Sequence, residues 1–198
     1  MKRRKPTLDR RAATAAILKN RGDALVVAGL GAPTWDITEA GEHPLNFGTW
    51  GGMGGAAMIG LGVAIAQPKR RVLVITGDGE LLMGLGSLAT IGVQRPGNLA
   101  VIVMDNEHYG ETGMQATHTR FGVDLPAMAR AAGFRAAGTI YSAAQLKSWI
   151  PKLRRQPGPV FASIKVTTQD APKVLPLRDG PALKNRFREA LLGPKAYE

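Results

Sequence analysis

The sequence contains no cysteine. That absence excludes disulfides, thiolate metal sites, iron–sulfur ligation and a cysteine nucleophile, and it fits a reducing compartment. No apolar run is long enough to cross a bilayer. The longest, Gly51 to Ala66, is glycine-rich and falls short of the ~18–20 residues a span requires, so it reads as a buried helix. Met1-Lys-Arg-Arg-Lys-Pro6 is basic, but neither an apolar h-region nor a small-residue cleavage site follows it, and a cytoplasmic location is expected. Internal repeats and a Gly-x-x-x-x-Gly-Lys phosphate loop are also missing. Acidic residues are scarce: 15 Asp and Glu stand against 26 Lys and Arg, a formal net charge of +11.

Such a balance invites a nucleic-acid reading. The distribution argues against it. Residues 1–21 carry eight basic and one acidic residue, and residues 147–198 carry eleven and four. The centre, 22–146, carries seven basic and ten acidic residues. The excess is therefore a property of the two ends. With 198 residues, 44% of them hydrophobic, the chain suits one well-buried domain, 1–198. A basic N-terminal helix (about 1–21) and a C-terminal connector plus helix (about 167–198) flank its centre.

Apolar runs at Ala24–Ala28, Arg71–Thr76, Leu99–Met104, Phe134–Ile140 and Val160–Val166 read as buried strands. Helices are expected from an Asp9 cap through Ala12–Leu18, then over Met53–Ala66, Leu81–Gln94, Leu125–Ala132, Ala143–Arg155 and Asp179–Leu192. This alternation predicts an α/β fold: an open, mostly parallel sheet with helices on both faces. In such sheets ligands sit beyond the carboxyl ends of the strands. The residues there are Gly29-Leu30-Gly31, Gly77-Asp78-Gly79 and Asp105-Asn106.

Asp78 and Asn106 each follow a buried strand, with 26 residues between Gly79 and Asn106. A right-handed crossover puts both at one crevice. A carboxylate and a carboxamide are hard oxygen ligands suited to Mg²⁺ or Ca²⁺, but too few for a dedicated cage. Mg²⁺ held this way completes its shell with phosphate and water, and free N–H groups at the start of the following helix suit the same phosphate. The implied ligand is a metal-bound diphosphate. Either short motif alone would read as a plain turn; it is the pair that is specific. Gly29-Leu-Gly31 alone would suggest a dinucleotide fold, but the full fingerprint wants glycine where Thr34 stands.

Gly77-Asp-Gly followed by Asn106 resembles the thiamine-diphosphate signature. The stretches Gly77 to Ile91 and Asp105-Asn-Glu-His-Tyr-Gly-Glu-Thr-Gly-Met-Gln115, with Thr49-Trp-Gly-Gly-Met-Gly54, resemble the sulfopyruvate and phosphonopyruvate decarboxylases. The resemblance covers roughly residues 9–166 and is strongest from Gly48 to Gln115. It implies a thiamine-diphosphate-binding fold of the diphosphate-domain (PP) type. It implies that Asp78, the Asn106 side chain and the His108 backbone carbonyl hold Mg²⁺. Gly29, Gly31, Gly77, Gly79, Tyr109 and Gly110 would lie against the cofactor. The Gly51 carbonyl would accept from its 4′-amino group, and Met53 would wedge beneath its rings. Glu80 departs from the pattern, since the resembling enzymes carry a small residue there, and it is left unassigned. His108 and His118 are candidates for a catalytic role or substrate contact, with surface or packing roles preferred. Trp35, Trp50 and Trp149 read as packing.

The resemblance also implies a glutamate against the pyrimidine ring, carried by a separate pyrimidine-binding domain. No segment of this chain offers one. The expectation is a β-type subunit in a hetero-oligomer with a pyrimidine-domain α-type subunit, acting on a small anionic 2-oxo acid. No catalytic residue is assigned within the chain itself. A subunit of a thiamine-dependent carboligase or acyl transferase would use the same residues. Two-subunit oxidoreductases of 2-oxo acids share the signature but need iron–sulfur clusters, which this chain could not ligate. From a different class, a basic nucleic-acid-binding or scaffold protein would use the charged ends and ignore the crevice.

Overall fold

The computed structural model describes residues 5–168 and 171–198. Lys2, Arg3 and Arg4 of the basic N-terminus, and Gln169 and Asp170 of the connector, lie outside the described residues.

The chain runs through α1 (Arg10–Leu18), β1 (Leu25–Ala28), α2 (Ala32–Glu39), β2 (Asn46–Gly48), α3 (Ala56–Ala66), β3 (Val72–Gly77), α4 (Asp78–Met83) and α5 (Ser87–Gln94). It continues through β4 (Leu99–Asp105), β5 (His108–Tyr109), β6 (Gln115–Ala116), α6 (Leu125–Ala131), β7 (Ala136–Ile140), α7 (Ala143–Arg155), β8 (Val160–Lys165) and α8 (Gly180–Leu192). Six strands form one sheet in the order β2-β1-β3-β4-β8-β7. Every pairing in it is parallel, with Val74 opposite Val27 on one side and Val101 on the other. β5 and β6 make a separate antiparallel hairpin.

Strand residues alternate between two cores. Leu25, Val27, Val72, Val74, Leu99 and Val101 face α3, α4, α5, α6 and α8. Val26, Ala28, Leu73, Ile75, Ala100 and Ile102 face α1, α2 and α7. Burial on both faces explains why these strands read as unbroken apolar runs. The expected open parallel sheet, covered on both sides, is what forms.

The path between layers creates the site. The chain leaves β1 into α2 on one face and leaves the adjacent β3 into α4 on the other. Neighbouring strands whose connections diverge leave a crevice at their carboxyl ends.

Several boundaries differ from expectation. α3 starts at Ala56 rather than Met53, because Gly52 (φ +69°) and Gly54 (φ +96°) take left-handed conformations that no right-handed helix contains. Met53 therefore sits on a turn. The single helix expected over Leu81–Gln94 is two: α4 already starts at Asp78, and the chain breaks across Gly84–Gly86 before α5. At the break Gly84 lies directly on Gly54; a Cβ there would fall 2.0 Å from the Gly54 carbonyl oxygen. α2, the short edge strand β2 and the β5–β6 hairpin were not anticipated, and α1, α7 and α8 form close to where they were expected.

Between β8 and α8, residues 171–178 carry no helix or strand, and the Trp50 indole N–H donates to the Leu177 carbonyl at 3.3 Å. α8 then packs Phe187 against Phe47 of β2, with ring centroids 5.4 Å apart. No described helix is long and apolar enough to cross a membrane.

Candidate active site

A crevice of about 270 Å³ opens at the carboxyl edge of the sheet. Gly77, Asp78, Gly79, Asn106, His108 and Tyr109 all line it. Two of the strands that feed it, β3 and β4, are direct neighbours, so the Asp78 and Asn106 ends meet as their spacing required. At Gly79 the backbone runs against the Tyr109 ring, where a Cβ would fall 2.5 Å from a ring carbon. Only glycine fits there.

Asp78 is the first residue of α4, with Gly77 as N-cap, and is 1% exposed. Two hydroxyls converge on its Oδ2: Thr117 donates to it, and Thr119 Oγ1 lies 3.2 Å away with its one proton shared toward Asp105. Its Oδ1 has no side-chain donor among the described residues. Burial, and then the negative charge of Asp105, push its carboxyl up to about 6, against the pull of the two threonines. Asp105 is in the opposite situation. Its Oδ1 accepts from Thr119 Oγ1 at 2.8 Å and from the Glu107 N–H at 3.2 Å. Its Oδ2 accepts from Ser163 at 3.1 Å and faces the Lys165 ammonium at 2.7 Å. Asp105 is held by an ammonium, and Asp78 has no ion pair among the described residues.

Asn106 follows β4. Its side-chain oxygen accepts from the His108 N–H at 2.9 Å, and the His108 ring Nδ1 lies 2.8 Å from the Asn106 carbonyl. No cluster of three or more His, Asp or Glu able to hold a metal occurs among the described residues. What is present is a buried Asp78 carboxylate with no ion pair among the described residues, beside an Asp105 that Lys165 holds. A hard divalent cation that brings oxygen ligands of its own fits that set, with Asp78 Oδ1 and the Asn106 amide oxygen as the protein's donors.

Glu80 is the residue whose placement the sequence left open. It lines the crevice, and its carboxylate reaches the Gly51–Gly55 turn. Its Oε1 accepts from the Gly54 and Ala56 N–H groups, each at 3.0 Å, and its Oε2 accepts from Thr76 Oγ1. The N-cap of α3, Gly55, has no side chain to offer. Glu80 therefore caps α3 from the neighbouring helix and fixes the turn that carries Gly51 and Met53. Burial raises its carboxyl above the ordinary range, and the two backbone N–H groups oppose that rise.

The remaining predicted residues lie around this frame. Gly110 also lines the crevice. Gly29 is buried at the end of β1, and its carbonyl accepts from Thr34 Oγ1 at 2.7 Å. Gly31 is the N-cap of α2. Gly51 and Met53 lie on the exposed turn, Met53 at 39% exposure, outside the crevice lining. His118 is exposed on a 3-10 turn; the residues on either side of it, Thr117 and Thr119, are the ones that reach Asp78.

Sequence reasoning placed Asp105 at the crevice without a role, and it missed that threonine pair and Lys165. One signal was available: Lys165 is a lone charge near the end of an otherwise apolar buried strand. It also missed two cations on the crevice wall. Arg10 pairs with the buried Asp36, Nε to Oδ2 at 2.6 Å, and Lys173 sits 5.1 Å from the centroid of the Trp35 ring.

Fold and crevice define a class: doubly wound domains that take a ligand where the strand connections diverge. Residues 29–164 match the family model described as thiamine pyrophosphate enzyme, C-terminal TPP binding domain. The chain belongs to that family. It is 37% identical over 171 residues to sulfopyruvate decarboxylase subunit beta of Methanothermobacter thermautotrophicus, covering 86% of this chain and 89% of that one. It is 38% identical over 179 residues to phosphonopyruvate decarboxylase of Streptomyces viridochromogenes, covering 88% of this chain but 44% of that longer protein. Benzoylformate decarboxylase from Polynucleobacter necessarius shares the fold with a TM-score of 0.66 at 19% identity, covering 83% of this chain and 34% of that one.

Proposed function

We propose that this chain is the β-type subunit of a two-chain, thiamine-diphosphate-dependent decarboxylase acting on a small anionic 2-oxo acid, sulfopyruvate- or phosphonopyruvate-like. The observation that carries the reading is the meeting of Asp78 and Asn106 at adjacent strand ends, with a buried Asp78 carboxylate that has no ion pair among the described residues. The β-type reading is supported by the likeness to a sulfopyruvate decarboxylase subunit beta, matched along 89% of that relative.

In this reading Asp78, the Asn106 side chain and the His108 carbonyl hold Mg²⁺, which in turn holds the cofactor's diphosphate. Gly77, Gly79, Tyr109 and Gly110 shape the crevice around it, with Gly29 and Gly31 behind. The turn that Glu80 fixes presents the Gly51 carbonyl and the Met53 side chain to the rings. Thiamine diphosphate, when bound, supplies the electron sink for the pair of electrons left as carbon dioxide departs. The glutamate that moves the activating proton comes from the pyrimidine domain of the partner subunit.

The test pairs the chain with its pyrimidine-domain partner. Mg²⁺ and thiamine diphosphate together are expected to raise the melting temperature of the complex and to permit release of carbon dioxide from a 2-oxo acid. Asp78→Ala is expected to abolish both. Rapid decarboxylation by the isolated chain, or an undiminished cofactor response in Asp78→Ala, overturns the reading.

A further inference from the structure

Lys165 is the only charged residue of β8, and its side chain is 12% exposed. A buried ammonium is costly unless paired. This one is paired twice: Nζ lies 2.7 Å from Asp105 Oδ2 and 3.1 Å from Glu107 Oε1. Those two carboxylates belong to the residues immediately before and after Asn106. Sheet register makes the first contact inevitable, because Lys165 and Asp105 stand opposite each other in the β4–β8 ladder. The second depends on the turn. Glu107 has φ +64°, a left-handed conformation that most side chains avoid and that persists where the surroundings hold it. Its side chain folds back to the same ammonium, and its carbonyl accepts from the Thr117 N–H at 2.9 Å.

We infer that Lys165 is a positioning residue. By bridging the carboxylates on either side of Asn106, it fixes the turn that offers the Asn106 side chain and the His108 carbonyl to a metal-bound diphosphate. This inference rests on the functional reading above. Without the ammonium, Asp105 and Glu107 lose the cation that bridges them. Thr119 Oγ1 lies between the two carboxylates, 2.8 Å from Asp105 Oδ1 and 3.2 Å from Asp78 Oδ2, so the residue that Asp105 holds also borders the other metal-binding strand end. Residues that orient metal ligands from behind typically change metal affinity by about 10–100-fold when replaced.

The experiment uses the assembled two-subunit complex. Mg²⁺ is titrated at fixed thiamine diphosphate, and cofactor binding is followed by near-ultraviolet circular dichroism and by melting temperature. Lys165→Met is expected to raise the half-saturating Mg²⁺ concentration about tenfold or more. Lys165→Arg, whose guanidinium can bridge both carboxylates, is expected to restore the wild-type requirement. A lower cofactor-free melting temperature with an unchanged Mg²⁺ requirement makes Lys165 merely structural and overturns the inference. Where Lys165→Met does not fold, Lys165→Gln is read by the same criterion. A wild-type complex that binds thiamine diphosphate without regard to Mg²⁺ overturns the functional reading and this inference together. A wild-type complex that responds, beside a Lys165 variant with the same requirement, overturns this inference alone.

Discussion

Replacing Glu80 separates its two jobs, capping a helix and burying a charge. Glu80→Ala leaves the Ala56 N–H and the Thr76 hydroxyl, both buried, without the partner they have now. Each such orphan costs about 1–3 kcal/mol. The Gly54 N–H is part-exposed and can turn to water. Against these losses, removing the carboxylate relieves the burial cost that raises its pKa. The expected net loss is about 2–3 kcal/mol of folding stability. Glu80→Gln keeps an acceptor for the two amides, and Thr76 can reverse to accept from its nitrogen, so a change within about 1 kcal/mol is expected.

The pH dependence has a definite sign. Glu80 titrates higher in the folded chain than its ordinary value of 4.5, so the folded state favours the protonated form. Its contribution is fully present below the ordinary value and is lost as pH rises through the raised one. Glu80→Gln should therefore gain on the wild type as pH climbs from 4.5 toward neutrality. Urea unfolding followed by tryptophan fluorescence, repeated across that window, measures both effects. An alanine variant as stable as the glutamine variant would refute the capping argument. A wild-type advantage over Glu80→Gln that grows with pH would refute the charge argument.

In chelator-treated protein, Asp78 follows the same sign: its stabilisation is present below 3.8 and lost as pH rises through about 6. Asp78→Asn should flatten that part of the stability curve and leave the metal-free chain about 2–3 kcal/mol more stable at neutral pH, and an unchanged slope in urea titrations would contradict this. Arg71 donates from Nε to the Leu153 carbonyl at 2.7 Å and from Nη1 to the Gln156 carbonyl at 2.9 Å, closing the end of α7. Burial pushes its pKa down to about 10, still charged at neutral pH, so Arg71→Ala should cost about 2 kcal/mol by thermal unfolding. Arg71→Lys should recover less than half of that loss, and a lysine variant matching the wild type would show that the fork geometry is unimportant.

Hydrophobic continuity made the sheet legible. Val72–Ile75 and Leu99–Met104 are buried on both faces, and a residue pattern records burial directly. Asp78 and Asn106 were legible for a related reason: strand ends and crossover handedness force them together whatever the loops do. The edge strand Asn46–Gly48 was not legible, because three residues pairing with one neighbour leave almost no pattern. The extent of α3 was also misread. Its composition is helical through Met53, and what stops it is the backbone sign at Gly52 and Gly54, which composition does not encode. Glu80 and the threonines beside His118 were missed because their importance lies in what they accept from or donate to. Those partners are far away in sequence: Thr117 is 39 residues from Asp78, and Glu80 is 26 from Gly54.

The contact of Gly54 with Gly84 has a bearing on how such a domain can change. It sets the distance between the Met53 turn and the Asp78 helix by main chain on main chain, with no side chain in between. Side-chain drift elsewhere in the crevice therefore leaves that spacing alone. Residues such as Lys173 or Trp35, which also line the crevice, can be exchanged while the spacing they work against stays constant. The pair of glycines acts as a gauge block: selection can reshape one wall of the site without recalibrating the other.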